Sequence, residues 1–204
     1  MSSADLRRFF DSMQLTYEQW HDGEGYDLNA LERLSDREKL EVEEKLLSRQ
    51  TTDWRDIEAL DHLGTPAALA RLQSELKSSD LTIRIEAAER LRARNSLADP
   101  ALEALILEAL DTTTLLNGMT RVLSLAKRYS SPAVREKVLS KALTGNDDLR
   151  VHAAALAHHL YGGTHSDFDW NHRPLYLRFN APNEAERKLA FDELCALIEV
   201  DPRI

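Results

Sequence analysis

The clearest hydrophobic pattern in the chain lies in residues 80–91, DLTIRIEAAERL. Ile83, Ala87 and Leu91 recur every fourth residue, which is the spacing of one face of an α-helix. Asp80 precedes them and is a residue type that caps helix N-termini. Residues 146–160 repeat the pattern more weakly. Arg150, Ala153, Ala154 and Ala157 have the same spacing there as Arg84, Ala87, Ala88 and Leu91 in the first segment. The pattern predicts two similar amphipathic helices.

Three prolines divide the middle of the chain at regular distances. Each follows a residue type that caps helices, in the pairs Thr65-Pro66, Asp99-Pro100 and Ser131-Pro132. Proline is favoured at the first position of a helix, so each pair predicts a helix start. The prolines are 34 and 32 residues apart, and Arg84 and Arg150 are separated by 66 residues, or two periods of 33. This period is typical of stacked helical hairpins.

The pattern D-x-x-I-R-x-x-A-A-x-x-L of residues 80–91 resembles the second helix of a HEAT repeat. The resemblance implies an all-α fold: a short right-handed α-solenoid of about four HEAT-like helical hairpins, with non-repeat helical caps covering its ends. We expect an N-terminal helical cap in residues 1–52, repeats in 53–163 and a C-terminal cap in 164–204, as one continuous structural domain.

The two flanks of the repeats resemble those of uncharacterised bacterial HEAT-like proteins, which have no established activity. The resemblance lies in WHDGEGYDLNAL, residues 20–31, and in DWNHRPLYLRFNAPNEAERKLAFDELC, residues 169–195.

Composition and charge narrow the classes of function. Of the 204 residues, 30% are charged and 43% hydrophobic, which is typical of a soluble helical protein. The formal net charge of −9 argues against a general nucleic-acid binder, because such proteins need a basic surface. Cys195 is the only cysteine, and neither a signal peptide nor a membrane-spanning run is evident. We therefore expect a cytoplasmic protein without nucleic-acid or membrane partners.

No catalytic motif occurs in the sequence, so we predict no catalytic residue, no cofactor and a core position for Cys195. A metal site could be built from one loop, by His165, Asp167, Asp169 and His172. Because all four belong to a single segment and match no known motif, we expect an ordinary polar loop and no metal. The HEAT resemblance implies that four arginines are structural: Arg55, Arg84, Arg135 and Arg150. In HEAT-like arrays such an arginine usually pairs with an acidic capping residue, and Asp53, Asp80 and Asp147 are placed for this.

The stretch from Thr114 to Tyr129 predicts a helix with apolar residues on almost every side. Aligning Asn117 with Arg84 places Met119 and Val122 on the face that is turned away from the core of the repeat. At that face the neighbouring repeats carry polar side chains: Glu86, Glu89, His152 and His159. An apolar centre with a polar rim is typical of a protein interface, so we predict partner binding by these six residues. If the alignment is shifted, Met119 and Val122 instead fill the core.

The function that these observations favour is non-enzymatic protein binding. The leading candidate is an inhibitor, such as an immunity protein that neutralises a basic toxin or effector, because the chain is small and acidic. Two alternatives follow from the HEAT resemblance: a nucleic-acid-binding protein such as a DNA glycosylase, and a protein similar to the lyases that attach bilin chromophores. The oligomeric state is not indicated by the sequence.

Overall fold

A computed structural model describes residues 3–14, 24–50 and 52–202. Residues 20–23, which open the first flank motif, lie outside the described part of the chain. The described residues form α-helices and short 3₁₀-helices, and no β-strand occurs among them. The predicted all-α class is therefore confirmed, while the solenoid arrangement and the division into caps and repeats stay predictions. The chain separates into two compact units, Met1–Leu97 and Ala98–Ile204.

The helices of the first unit are the following: α1 (Ala4–Ser12), α2 (Leu28–Glu32), α3 (Asp36–Leu47), α4 (Trp54–Leu63), α5 (Pro66–Glu75) and α6 (Leu81–Ala93). Those of the second unit are α7 (Asp99–Thr112), α8 (Met119–Arg128), α9 (Pro132–Thr144), α10 (Asp147–Leu160), a 3₁₀-helix (Trp170–His172), α11 (Arg173–Leu177), a second 3₁₀-helix (Arg178–Asn180) and α12 (Glu184–Leu197).

Side-chain caps fix most of the helix starts that the sequence predicts. Asp80 accepts from the backbone N–H groups at the start of α6, and Thr65 and Ser131 do the same ahead of their prolines. The remaining pair, Asp99-Pro100, differs, because α7 already begins at Asp99 and its N-cap is Ala98, which offers no side-chain bond. The prolines thus mark helix starts as predicted, but Asp99 is not the cap.

The core of the first unit contains the apolar face of α6. Ile83, Ala87 and Leu91 of α6 are buried in one cluster with apolar residues of the five preceding helices. Helix α6 packs against both α4 and α5. The four-residue spacing therefore marks the face of α6 that is packed within this unit.

A buried carboxylate joins three parts of the first unit. Asp56, in the first turn of α4, accepts from the backbone N–H of Asp53 and from the hydroxyl of Tyr26, at 3.0 and 2.9 Å. The guanidinium of Arg49 lies 3.3 Å from Oδ2, the same oxygen that accepts from Asp53. Burial raises the pKa of Asp56 above its usual range, although these hydrogen bonds favour the ionised form. Asp56 thus connects the segment before α2 and the end of α3 to the start of α4.

We expect Asp56→Ala to lower the free energy of unfolding by about 2 kcal/mol, because it leaves the buried Tyr26 hydroxyl without its acceptor. Asp56→Asn keeps an acceptor for that hydroxyl and should cost about half as much. The raised pKa means that the ionised form opposes folding, so the cost of Asp56→Asn relative to wild type should grow as the pH falls and Asp56 takes up a proton. Urea unfolding at several pH values, followed by circular dichroism, measures these differences. Equal losses in the two variants would contradict the hydrogen-bonding role.

The second unit is built around α10, which is buried on nearly every side. It packs against α8, α9, α11, α12 and the second 3₁₀-helix. Half of its eight buried residues are alanines, whose small side chains allow close helix packing: Ala153, Ala154, Ala155 and Ala157. Cys195 of α12 is also buried, and burial raises its thiol pKa to about 11. Its predicted core position is confirmed.

Two of the predicted structural arginines pair with a carboxylate that is expected to cap their helix, although only Asp53 does so, since Asp147 follows the N-cap Asn146. Arg55 bonds to Asp53, and Arg150 bonds to Asp147 at 2.6 Å. Arg150 also donates to the carbonyl oxygens of Phe179 and Gly145, at 2.8 and 3.1 Å. Arg135, for which no capping carboxylate is predicted, donates to the carbonyl of Ser130. For Arg84, pairing with Asp80 stays a prediction.

Arg150→Met should lower the unfolding free energy by about 2 kcal/mol, since two backbone carbonyls lose a charged donor. Arg150→Lys should recover only part of this loss, because one ammonium cannot reproduce the planar fork of the guanidinium. Chemical denaturation compares the two variants, with the exposed Arg135→Met as a matched control that should change stability by less than about 1 kcal/mol. A loss in Arg150→Met no larger than in the control would contradict the structural role.

Candidate functional site

The start of α8 differs from the sequence prediction, with consequences for the predicted site. The helix begins at Met119 and not near Thr114, because residues 114–117 form a tight turn. Gly118 follows with φ +72°, a left-handed conformation that favours glycine. Leu115 and Leu116 therefore belong to the turn and not to a helix, and the predicted helix with apolar residues on all sides is wrong. Helix α8 has a buried apolar face and an exposed polar face.

The alignment of Asn117 with Arg84 fails for the same reason. Arg84 and Arg150 are each the fourth residue of their helix, whereas Asn117 precedes α8 and the fourth residue of that helix is Val122. Val122 is 0% exposed and Met119 is 4% exposed, so both pack in the interior of the second unit. The prediction that they form an exposed apolar centre is thus corrected. Partner binding at this place remains a hypothesis, and the surface available for it is a groove beside Met119.

This groove lies on the second unit and has a cavity volume of about 430 Å³. Its lining comes from α8, α10 and the segment after α10: Met119, Thr120, Leu123, Ser124, His152, Leu156, Asp167 and Phe168. Thr120, Ser124 and His152 are exposed, whereas Met119 and Leu156 are buried and Leu123 is half-buried. The groove therefore has an apolar floor and a polar rim, and it contains two of the six predicted residues, Met119 and His152.

The other predicted rim residues have different environments. His159 of α10 is half-buried, and its Nδ1 lies 3.1 Å from the carbonyl oxygen of Thr164. Glu86 and Glu89 belong to α6 in the first unit, where Glu86 is buried and lies 3.9 Å from Arg90. The second-unit groove is thus lined by neither glutamate.

One wall of the groove is the segment 164–169. Asp167 forms an ion pair with Lys127 at 3.0 Å, and this lysine lowers the pKa of the carboxyl group. The ring of Phe168 lies 6.0 Å from that of His152 and 5.4 Å from that of Tyr176, measured between centroids. Sequence reasoning missed Phe168, which it placed in a polar loop; its only signal was an aromatic residue in an otherwise polar stretch.

Beneath this wall lies a buried aromatic cluster centred on His158, which is 2% exposed. Its Nδ1 is 2.9 Å from the hydroxyl of Tyr176, and its ring centroid is 4.6 Å from that of His172 in a T-shaped arrangement. His172 in turn lies 3.1 Å from a carboxylate oxygen of Asp169. Burial lowers the pKa of His158 and raises that of Tyr176 to about 12, so both are neutral at pH 7.

Ser124, His152 and Asp167 all line the groove, which raises the question of a catalytic triad. No hydrogen bond within the described part of the chain joins any two of them, and Asp167 is bonded to Lys127. A serine nucleophile is normally in hydrogen-bond reach of its base. In the described part of the chain these three side chains are therefore not hydrogen-bonded to one another as a catalytic triad is.

The described residues include no group of three or more potential metal ligands. In the predicted loop, Asp167 bonds to Lys127 and Asp169 bonds to His172, while His165 is exposed. A helix long and apolar enough to cross a membrane is also absent from the described segments.

Comparisons with known proteins add no relative from which function could be transferred. No protein-family model matches the chain, and searches of curated proteins and of solved structures found no match. The HEAT resemblance therefore rests on the residue pattern of the chain alone.

Proposed function

We propose that this chain is a non-enzymatic, HEAT-like protein-binding adaptor and that the groove of the second unit is its binding surface. The observation that supports this most strongly is the groove itself, whose apolar floor is surrounded by polar side chains. Protein interfaces have this composition, with an apolar centre and a polar rim. The floor can receive apolar side chains of a partner, while Thr120, Ser124 and His152 can bond to its polar groups.

The turn before α8, which precedes Met119 in the chain, offers a second apolar contact site. Leu115 and Leu116 are 59% and 97% exposed, although tight turns normally carry glycine, asparagine, aspartate or proline. The turn is fixed by hydrogen bonds between Thr114 and Asn117 and by a bond from the Thr113 hydroxyl to the Asn117 carbonyl, at 2.9 Å. A preordered apolar turn loses little entropy on binding, which favours its use as a contact site.

Charge supports a basic partner. The net charge of the chain is −9, and the acidic start of α10 is close to the turn, since Asn146 donates to the carbonyl of Thr113 at 2.9 Å. Asp147 and Asp148 follow directly and are both exposed. Complementary charges accelerate association and select partners. Among protein binders, we therefore propose an inhibitor that neutralises a basic toxin or effector, as immunity proteins do, acting in the cytoplasm.

The rival functions differ in their ligands. A DNA glycosylase-like protein would bind duplex DNA through a basic surface, which the net charge disfavours. A chromophore-lyase-like protein would bind a bilin, and a pigment of that kind would colour the purified protein. Recovery of DNA or of a bilin with the purified protein would identify one of these two functions.

The test is to fill the groove. Ser124→Trp places a large ring on the exposed polar face of α8 at the groove, and Ala104→Trp places the same ring at an exposed position of α7 outside its lining. Both variants should keep the wild-type melting temperature. Tagged wild type and Ala104→Trp, purified from the native host, should retain one and the same basic protein that Ser124→Trp loses. With the purified components, Ser124→Trp should raise the Kd at least tenfold.

The proposed inhibitor role has its own readout. Co-expression of wild type or Ala104→Trp should suppress the toxicity of the retained protein, and Ser124→Trp should not. Equal binding by all three proteins would contradict the groove as the binding surface. Recovery of DNA or of a bilin in place of a protein would contradict the proposed function.

A further inference from the structure

The buried ring of His158 supports the segment that forms one wall of the groove. Its edge lies directly against Gly163: a Cβ atom on this glycine would come within 2.2 Å of Cδ2 and 2.4 Å of Nε2. The Gly163 N–H donates to the carbonyl oxygen of His158 at 2.9 Å. The ring is covered further by His172 and Tyr176. Exposing His158 to water therefore requires that residues 162–172 move away from α10.

The other anchors of this segment do not depend on a neutral imidazole. His159 Nδ1 faces the carbonyl oxygen of Thr164, which only accepts, so this nitrogen must carry a proton in either charge state of the ring. Mild acid does not protonate Asp167 in its ion pair with Lys127, since this lysine holds the pKa of the carboxyl group below its usual range. His158 is different, because its environment supplies a tight apolar contact and one hydroxyl.

We propose that residues 162–172 are an acid-sensitive gate on the groove, which opens when His158 is protonated. Opening removes the wall formed by Asp167 and Phe168, and with it the complete groove. The inference rests on the proposed function in one respect: the process that the gate regulates is binding of the basic protein partner. The gate itself is a property of the chain and can be measured without a partner.

The direction of the effect follows from the groups around the ring. The titratable groups facing His158 are His172 and Asp169 of the 3₁₀-helix segment and Tyr176 of α11. Burial and the neighbouring His172 lower the pKa of His158, and Asp169 offsets only part of this. The open form, with a solvated ring of ordinary pKa near 6.5, thus binds more protons than the closed form. The closed form therefore becomes less stable relative to the open one as the pH falls below 6.5.

Hydrogen exchange of individual amides, measured by NMR and corrected for the intrinsic pH dependence of exchange, tests the gate. Between pH 7.5 and 5.5, protection of the Gly163 and His172 amides should fall about threefold to tenfold, since pH 5.5 is one unit below the ordinary histidine value. The Val138 amide in the middle of α9 should keep its protection. In His158→Gln, which cannot titrate, the Gly163 and His172 amides should show no such pH dependence, whereas the exposed His165→Gln should behave like wild type.

Several results would overturn the gate. These are unchanged protection in the wild type, the same loss in His158→Gln, or a matching loss at Val138, which would indicate global unfolding. In the wild type, the ¹³C signals of the His158 ring should titrate below pH 6.5, and a midpoint at or above 6.5 would also contradict the proposal. If a partner is found, its affinity should fall with acid for wild type but not for His158→Gln. If the gate opens in acid but no protein partner is found, the proposed function is contradicted and the gate is not.

Discussion

The second unit depends on the contact between a buried imidazole and a residue without a side chain. His158 lies near the end of α10, and Gly163 reverses the chain so closely against its ring that any other residue would collide with it. That reversal brings residues 164–176 back over α10, where Tyr176 bonds to His158 and Phe168 packs on Tyr176. The groove exists because this segment is held beside α8. Its wall is therefore only as stable as the packing around one histidine.

The first unit uses a buried polar group in a comparable way. Asp56 accepts from Tyr26 and from the backbone of Asp53, and so it connects non-helical segments to α4. Burying such groups costs free energy unless they are bonded, and each bond also specifies which segments meet. Asp56 and His158 differ in the direction in which burial shifts their pKa. Burial raises the pKa of Asp56 and lowers that of His158, so acid favours the buried carboxyl group and opposes the buried imidazole.

Sequence patterns predicted the parts of the fold that depend on local interactions. Asp80 and Thr65 cap their helices, and the four-residue spacing of Ile83, Ala87 and Leu91 marks a buried face. The start of α8 was mispredicted because Leu115 and Leu116 continue the apolar pattern into a turn. The dipeptide Asn117-Gly118 carried the missing signal, since Asn-Gly is among the strongest turn sequences.

The candidate site was less predictable, because its parts are distant in sequence. The bond between His158 and Tyr176 spans 18 residues, and the pair of Lys127 and Asp167 spans 40. No periodicity encodes such contacts, which arise only when α8, α10 and the following segment pack together. Five histidines cluster in residues 152–172 of the sequence, but the sequence does not show that His158 is buried and supports the segment that carries His165 and His172.

The central structural claim is that Gly163 lies against the ring of His158, and proton NMR at pH 7.5 tests it most directly. We expect strong nuclear Overhauser effects between the Gly163 Hα protons and the His158 ring protons, with a ring-current shift of the Gly163 Hα resonances. Nuclear Overhauser effects between the Phe168 and Tyr176 rings should accompany them. Gly163 Hα resonances at random-coil positions, without contacts to the imidazole, would contradict the account of how the groove wall is held.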